Sequence, residues 1–405
     1  MKKRILVVSQ HYWPENFRIT DICRGFTEAD IEVDVLCGLP NYPKGEWFDG
    51  YTYTKPRRQT HDGVTIFRSG EVRRRGNTGA RIFLNYISFP LYAFWHLPRL
   101  WGRHYDAVFC YNTSPVLMMW PALVRAKLHR EPLTTYVLDL WPENLYSVLP
   151  VQNKALRALA AGVSHWFYRR SDKLMTMSTA MQAKLQAVAP KRKTCVVPQY
   201  CEDFYFTDVH SAALAQQFAG KTNVLFAGNF SPAQNLELLV QCAEKLQKEN
   251  RTDIHFVLVG DGMSRAALAA DIAAKGVTQY FTFCGQKPPE EIPAYTGMAD
   301  ILFAALAKSD DLGMTIPAKI TSYMAAGKAC LVAVDGEATR VVNEAACGLT
   351  SAAGNADALY ANLLALADMP AAQRSAMGQN GRAYCKAHFG RKELLAKMQQ
   401  FILEK

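Results

Sequence analysis

Short apolar runs of strand length recur along the chain, and longer segments of helical length separate most of them. In the first half these runs are RILVVS, EVDVLCG, VTIFRS, DAVFCYN, TTYVLDL and KLMTMS, and in the second they are NVLFAGN, IHFVLVGDG, FTFCG, ADILFAAL and ACLVAV. Nearly continuous apolar strands that alternate with helices are typical of parallel sheets covered by helices on both faces. The pattern therefore predicts an α/β fold.

The alternation is interrupted between residues 197 and 208, where the segment VPQYCEDFYFTD contains a proline and acidic residues but no clear period. A chain of 405 residues is also longer than one hydrophobic core usually organises. We therefore expect two doubly wound domains of similar size. In folds of this kind, ligands bind at the carboxyl ends of the strands.

The residues that follow the predicted strands differ between the two halves of the chain. After the first strand the chain reads QHYWPENFR rather than GxGxxG, which argues against a dehydrogenase. In the second half, glycines follow successive strands and allow a ligand to approach the backbone closely, although a turn would explain any one of them. These glycines are Gly228, Gly260, Gly262 and Gly285, with Asp261 lying between the second and the third.

The segment TIPAKITSYMAAGKACLVAV, residues 315–334, reads as a helix followed directly by a strand. Pro317 suits the first position of a helix, where a backbone N–H would have no partner. Lys319 then falls in the first turn, at a helix end that favours anions through its free N–H groups and its dipole. A surface lysine on an amphipathic helix is the alternative interpretation.

Positive charge is concentrated in one part of the chain. The net charge is +10, and residues 55–104 hold ten Lys and Arg residues against two acidic ones. The same segment contains IFLNYISFPLYAFWHL, residues 82–97, which is too short and too polar to span a membrane. Basic residues beside an aromatic run suit an anionic membrane surface, whereas a core helix with a solvated basic flank is the alternative. Without a recognised binding motif, we expect no nucleic-acid partner.

Cysteine usage and the start of the chain favour a cytoplasmic protein. The ten cysteines are scattered singly, without a CxxC pair or metal-ligand spacing, so we expect reduced thiols and no metal site. Met1-Lys2-Lys3-Arg4 is followed only by ILVVS, which is too short for a secretory signal.

Several motifs together resemble a known family. In the second half they are VLFAGNFSPAQNLELLVQCAEKL, VLVGDGMSR, FCGQKPPEEIPAYTGMADILFAAL, IPAKITSYMAAGKACLVAVDGEATRVVNEAACGL and MGQNGRAYCKAHF. Their order and spacing resemble the retaining glycosyltransferases of family 4, which have the GT-B fold. The motifs SQHYWPENFRITDICRGF, GLPNYPKGEWFDGY, YNTSPVLMMWPAL and LDLWPENLYSVL resemble the subgroup of N-acetylfucosaminyl or colanic-acid glycosyltransferases.

The resemblance implies two Rossmann-like domains with a central cleft: an acceptor domain over residues 1–200, with 55–104 facing a membrane, and a nucleotide-sugar domain over 201–388. A helix over 389–405 would cross back to the first domain. The implied activity is metal-independent transfer, without a cofactor, of an N-acetylamino sugar from a nucleotide sugar. The acceptor would be a polyprenyl-diphosphate-linked or saccharide acceptor in capsule, O-antigen or exopolysaccharide synthesis. The enzyme would be peripheral on the inner face of the cell membrane.

The chain departs from the family pattern where the donor would bind. Ser322 and Met314 stand where many members have a glutamate pair, and Asn229 and Gln234 stand where many have Arg and Lys. Lys319 is then the best-placed cation for the diphosphate. We expect the donor to contact Gly228, Asn229, Gln234, Gly260, Asp261, Gly262, Gly285, Pro317, Lys319 and Ser322.

Besides Lys319, two carboxylates are catalytic candidates by resemblance. Asp139 ends the strand where many members have a histidine near the reacting sugar, and capping the next helix is the alternative role. Glu337 resembles a loop residue that faces the donor sugar, while Glu344 is more simply a surface residue. His11 would line the acceptor side or merely pack. A GT-B sugar-nucleotide epimerase and a catalytically silent nucleotide-sugar-binding protein are the alternative functions.

Overall fold

The computed structural model describes residues 2–53, 55–77, 79–148, 153–309 and 312–404. The chain divides into two compact units: residues 1–197 together with 395–405, and residues 198–394. Each unit contains one sheet, of eight strands in the first and six in the second.

The sheet of the first unit has the strand order β3-β4-β2-β1-β5-β6-β7-β8. Its strands are β1 (Arg4–Val8), β2 (Glu32–Cys37), β3 (Arg58–His61), β4 (Val64–Arg68), β5 (Ala107–Asn112), β6 (Leu133–Val137), β7 (Lys173–Thr176) and β8 (Lys193–Val196). All neighbouring strands are parallel except β3, which pairs antiparallel with β4. Its helices are α1 (Ile19–Glu28), α2 (Gly79–His96), α3 (Met119–His129), α4 (Glu143–Val148), α5 (Lys154–Arg170) and α6 (Thr179–Val188).

The sheet of the second unit is parallel throughout, in the order β11-β10-β9-β12-β13-β14. Its strands are β9 (Thr222–Ala227), β10 (Ile254–Val259), β11 (Phe281–Gly285), β12 (Ile301–Ala305), β13 (Ala329–Ala333) and β14 (Gly348–Ser351). The remaining helices are α7 (Ala212–Gln217), α8 (Glu237–Lys248), α9 (Arg265–Ala274), α10 (Ile292–Met298), α11 (Ala318–Ala325), α12 (Glu337–Glu344), α13 (Ala356–Ala367), α14 (Ala371–Phe389) and α15 (Arg391–Leu403).

The sheet of the second unit separates two hydrophobic clusters, as the period of two along its strands requires. In β9, Val224 and Phe226 belong to one cluster, whereas Leu225 and Ala227 belong to the other. Since both faces are covered, the central strands are apolar at nearly every position. The predicted α/β fold with parallel sheets is therefore confirmed.

The end of the chain packs on the first unit through lysines that donate to backbone carbonyls. Lys173 Nζ donates to the carbonyl oxygen of Phe401, 2.7 Å away, near the carboxyl end of α15, where the helix dipole favours a cation. Lys397 Nζ donates to the carbonyl oxygen of Val196 at 2.8 Å. These contacts explain why residues 395–405 group with the first unit.

Candidate functional site

Three loops at the carboxyl ends of β9, β10 and β11 are joined by backbone hydrogen bonds. Gly228 N donates to the carbonyl oxygen of Val259 at 2.9 Å, and Gly260 N donates to that of Gly285 at 2.8 Å. Gly260 has a φ of +135°, and a Cβ there would overlap the carbonyl oxygen of Gly228. Only glycine therefore allows these loops to pack so closely.

These loops form one wall of a cavity of about 760 Å³ within the second unit. The first turn of α11 and the short helical turn at 203–206 contribute further walls. The lining includes seven of the residues predicted from the sequence: Gly228, Asn229, Gly260, Asp261, Gly262, Lys319 and Ser322.

Three other predicted donor contacts, Gln234, Gly285 and Pro317, are not among the described lining residues. Gln234 bonds to Lys319, and the carbonyl oxygen of Gly285 holds Gly260 in place. Pro317 precedes the first helical residue of α11, so it occupies the N-cap rather than the first helical position that the sequence suggested. Gln234 and Gly285 thus support residues of the lining.

Lys319 is half-buried in the first turn of α11, and its ammonium group faces the cavity. Nζ donates to Gln234 Oε1 at 2.5 Å and lies 3.5 Å from the centroid of the Phe226 ring. Within the described residues, no carboxylate lies within 4.0 Å of Nζ. Burial without an anionic partner lowers the pKa of Lys319 to about 7.

The hydroxyl groups beside Lys319 already have partners within the protein. Ser322 Oγ donates to the carbonyl oxygen of Ala318, one turn earlier in α11, at 3.0 Å. The hydroxyl oxygen of Tyr323 accepts from Ala227 N at 2.9 Å and so fixes the end of β9. The hydroxyl groups of Ser322 and Tyr323 are therefore engaged within the protein.

Ten lining residues were not predicted from the sequence, among them the polar residues Glu202, Tyr205, Gln286 and Lys287. Gln286 and Lys287 directly follow Gly285, so the strand-end argument would have found them had it been extended by two positions. Glu202 and Tyr205 come from the segment between the domains, which has no period to suggest a role. Lys287 places a second ammonium group on the lining, 5.8 Å from the Tyr295 ring.

Glu337 is buried at the start of α12, and the described lining of the cavity does not include it. Its carboxylate accepts from Arg340 Nη2 at 2.7 Å and from Arg340 Nε at 3.0 Å. Arg340 Nη1 also donates to Glu344 at 2.6 Å. This geometry gives Glu337 an ion pair within its own helix.

Asp139 follows β6 in the first unit, where it joins the ends of two strands. Its Oδ2 accepts from Ser114 N at 3.0 Å and from Ser114 Oγ at 2.8 Å. Trp141 Nε1 in turn donates to Ser114 Oγ at 3.0 Å. Both of these hydrogen bonds tie the carboxylate to the loop after β5 rather than to α4, so they do not cap that helix.

His11 lies in a buried polar cluster at the carboxyl ends of β1, β2 and β4. Its Nδ1 lies 3.0 Å from Glu15 Oε2, and its Nε2 lies 3.2 Å from Arg74 Nη2. Because a guanidinium group only donates, we assign the proton of the ring to Nδ1 and the acceptor role to Nε2. The cluster consists of Gln10, His11, Glu15, Asn41, Glu71, Arg74 and Asn85.

The described residues contain no group of three or more His, Cys, Asp or Glu side chains that could hold a metal ion.

Two family models match the chain, one in each half. Residues 16–199 match the glycosyl transferase 4-like domain, and residues 215–384 match glycosyl transferases group 1. The chain belongs to the GT-B glycosyltransferases of family 4. The glycine loops and Lys319 lie within the group 1 match. Asp139 lies within the match to the 4-like domain, and His11 lies just before that match begins.

The relatives of this GT-B glycosyltransferase are distant. The chain is 29% identical over 170 residues to 2-deoxystreptamine glucosyltransferase of Streptomyces kanamyceticus, a match that covers 39% of this chain and 43% of that protein. It is 23% identical over 341 residues to WcaI of Escherichia coli strain K12, which is named as a colanic acid biosynthesis glycosyl transferase; 80% and 81% of the two chains are covered. The solved structure of Anabaena Alr3699/HepE in complex with UDP has a TM-score of 0.69 and 16% identity, and 99% of each chain is covered.

Proposed function

We propose that the protein is a retaining glycosyltransferase that transfers an N-acetylamino sugar from a nucleotide sugar to a lipid-linked or saccharide acceptor. Surface polysaccharide synthesis, of a capsule, an O-antigen or an exopolysaccharide, is the proposed setting. The observation that carries the proposal is the half-buried ammonium group of Lys319, which has no carboxylate partner among the described residues and faces the glycine-lined cavity.

A diphosphate suits this position for three physical reasons. The helix dipole and the N–H groups at the start of α11 favour negative charge, and Lys319 adds a positive charge there when its amine is protonated. At Gly228 the loop leaves bare backbone beside Lys319, since a Cβ there would lie only 3.1 Å from Nζ. A cavity of about 760 Å³ is also of the size that binds small organic ligands.

The chemistry that we propose needs charge stabilisation more than a strong nucleophile. As the bond between the sugar and the nucleotide breaks, negative charge grows on the diphosphate, and a preorganised cation stabilises it. Lys319 is therefore our candidate for the catalytic residue. The catalytic roles proposed for Asp139 and Glu337 are less favoured, since Ser114 and Arg340 already hold their carboxylates.

We propose UDP rather than GDP as the nucleotide. The motifs resemble those of transferases of N-acetylamino sugars, and HepE was solved with UDP. We propose no cofactor and no metal for the transfer step. The similarity to WcaI supports a polysaccharide setting, and an acceptor on a polyprenyl diphosphate would place the enzyme at the inner face of the cell membrane.

A transfer assay with a panel of UDP-sugars and GDP-sugars tests the proposal. We expect a product only when a polyprenyl-diphosphate-linked sugar or a saccharide is present, and calorimetry should detect binding of UDP without any acceptor. Isomerisation of the nucleotide sugar alone would support the epimerase. Binding without transfer across the panel would support the silent binding protein, and binding of neither UDP nor GDP would refute the donor assignment.

A further inference from the structure

Another cavity, of about 660 Å³, lies within the second unit. Its walls come from the turn at 203–206, from one side of α14 and from the start of α15. We refer to it as the second cavity and to the cavity at Lys319 as the first cavity. Its volume lies within the range of pockets that bind small organic molecules. It is therefore large enough for a ligand other than the donor.

Cationic side chains outnumber carboxylates around the second cavity. The cations are Arg382, Lys386, Arg391 and Lys392, and the carboxylates are Asp203 and Glu393. Among the described residues, no carboxylate lies within 4.0 Å of the ammonium group of Lys386 or Lys392. The lining thus carries a net charge of +2, which selects an anionic ligand.

Two helices bring these cations together. Arg382 and Lys386 are four residues apart on α14 and therefore share one side of it with Gln379. Arg391 and Lys392 are the first two residues of α15. The helix dipole disfavours cations at a helix N-terminus, so this placement does not stabilise α15 by itself. An anion bound beside them would be stabilised by the dipole and by both side chains.

Glu393 leaves the first turn of α15 accessible to such an anion. A Cβ at Gly390 would overlap Glu393 Oε2, so this carboxylate lies against the backbone that directly precedes α15. A glutamate at the third position of a helix often reaches back in this way to the residue before the helix. Gly390 itself has no side chain that could cap the N–H groups of the first turn.

The turn at 203–206 contributes to both cavities. Glu202 and Tyr205 line the first cavity, whereas Asp203 and Phe206 line the second. A ligand in the second cavity that shifts this turn would change the first cavity without entering it.

Arg382 links the second cavity to this turn. Its Nη1 donates to Asp208 Oδ1 at 2.6 Å, and its Nη2 donates to the carbonyl oxygen of Phe206. The side chain of Asp208 is 65% exposed, and exposed ion pairs are weak. A phosphate group, which a guanidinium binds through two parallel hydrogen bonds, can therefore replace Asp208. Arg382 would then hold the turn less firmly.

We propose that the second cavity is a regulatory site for a phosphorylated small molecule. Its phosphate binds among the four cations of the lining, and the rest of the molecule occupies the remaining volume. Binding draws Arg382 away from Asp208 and weakens donor binding through the turn at 203–206. This coupling rests on the proposed function, which names UDP as the donor nucleotide, whereas the anion site does not.

Calorimetry with inorganic pyrophosphate tests the site in two titrations, one at saturating UDP, which fills the first cavity, and one in Lys319→Ala without UDP. Lys386→Ala with Lys392→Ala removes two cations from the second cavity. Lys221→Ala with Lys248→Ala removes two exposed lysines elsewhere in the same unit and serves as the control pair. We expect the first pair to weaken pyrophosphate binding about tenfold or more and the control pair to leave it within about twofold.

Three outcomes would overturn the site. They are the absence of pyrophosphate binding, undiminished binding by the variant of Lys386 and Lys392, and an equal loss in the control pair. Equal affinity for citrate would overturn the assignment to a phosphate group. All variants should keep the wild-type melting temperature, because the replaced lysines are exposed.

The coupling is measured as the affinity for UDP with and without pyrophosphate. Direct competition in the first cavity would weaken UDP binding equally in the wild type and in the variant of Lys386 and Lys392. Coupling should weaken it about fivefold more in the wild type, and equal weakening would overturn the regulatory role. Failure of UDP to bind at all would refute the proposed function and the coupling with it, whereas the titration in Lys319→Ala would still decide the anion site.

Discussion

Replacing Lys319 with alanine removes a cation that lies between a helix N-terminus, the Phe226 ring and the loop at Gly228. A unit charge about 4 Å from a phosphate oxygen is worth roughly 4 kcal/mol at an effective dielectric constant of about 20. Removal of one preorganised oxyanion donor costs about 3 to 4 kcal/mol, or roughly 10²- to 10³-fold in turnover. The two magnitudes agree, so we expect turnover of Lys319→Ala to fall by about that factor.

The assay compares turnover at saturating donor with the affinity for UDP. Turnover should fall far more than affinity, because charge on the diphosphate grows as the bond breaks. Ser322→Ala provides a control, since the hydroxyl of Ser322 bonds to its own helix and should contribute much less. Lys287→Ala reports on the second lysine of the cavity, and we expect an intermediate loss.

Folding should tolerate the loss of Lys319. The folded-state pKa of about 7 lies below the ordinary value of 10.5, so the charged lysine destabilises the folded protein below pH 7. That cost falls as pH rises from about 7 towards 10.5, since in this window the unfolded chain binds more protons. At pH 6 the variant should therefore melt no lower than the wild type. Near-normal turnover in a folded Lys319→Ala would refute the reasoning and make the lysine a solvated side chain.

Three further predictions concern pH, an ion pair and a loop. Binding of UDP should weaken as pH rises from 7 to 9 and should take up protons near pH 7, because a diphosphate favours the charged form of Lys319. Calorimetry in two buffers of different ionisation enthalpy measures this proton uptake. If no protons are taken up, Lys319 does not contact the diphosphate. Glu337→Gln should lower the free energy of unfolding by about 1 to 3 kcal/mol, because the hydrogen bonds that Arg340 donates would lose their charged acceptor, while transfer persists. A stable but inactive variant would restore the catalytic role. Gly260→Ala should abolish UDP binding and lower the melting temperature, because its Cβ would overlap the carbonyl oxygen of Gly228. Normal UDP binding by this variant would show that the two loops can move apart without loss of the site.

Much of the fold was readable from the sequence, since all eleven apolar runs contain strands of the two sheets. The missed strands β3, β8 and β14 are short, with the sequences RQTH, KTCV and GLTS, and lie at the edges of the sheets. An edge strand has a neighbour on only one side, so its residues need not be apolar. Its formation depends on the adjacent strand, which a local pattern does not report.

Part of the candidate site could also be predicted, because it depends on local features of the sequence. Strand ends and a helix start are local features, and they pointed to Gly228, Gly260 and Lys319. The partners of Glu337 and Asp139 depend on how side chains meet in the fold. Arg340 lies three residues after Glu337, so the pair was visible in the sequence, but burial of the carboxylate was not.

The buried polar cluster around His11 could not be predicted from the sequence. Its members come from the segments after β1, β2 and β4 and from α2, and no spacing along the chain connects them. The aromatic segment in α2 was recognised, but its orientation follows from the bonds of Asn85 on the opposite side. Only the folded structure shows that Asn85 and Ser88 of this helix are buried, whereas its large apolar residues Phe83, Leu84, Leu91, Phe94 and Trp95 are exposed.

A crystal structure of the protein with UDP would show whether Lys319 binds the diphosphate. We expect UDP in the first cavity of the second unit, with a diphosphate oxygen within hydrogen-bonding distance of Lys319 Nζ and beside the loops at Gly228 and Gly260. A diphosphate bound away from Lys319, or an empty cavity at saturating UDP, would contradict it.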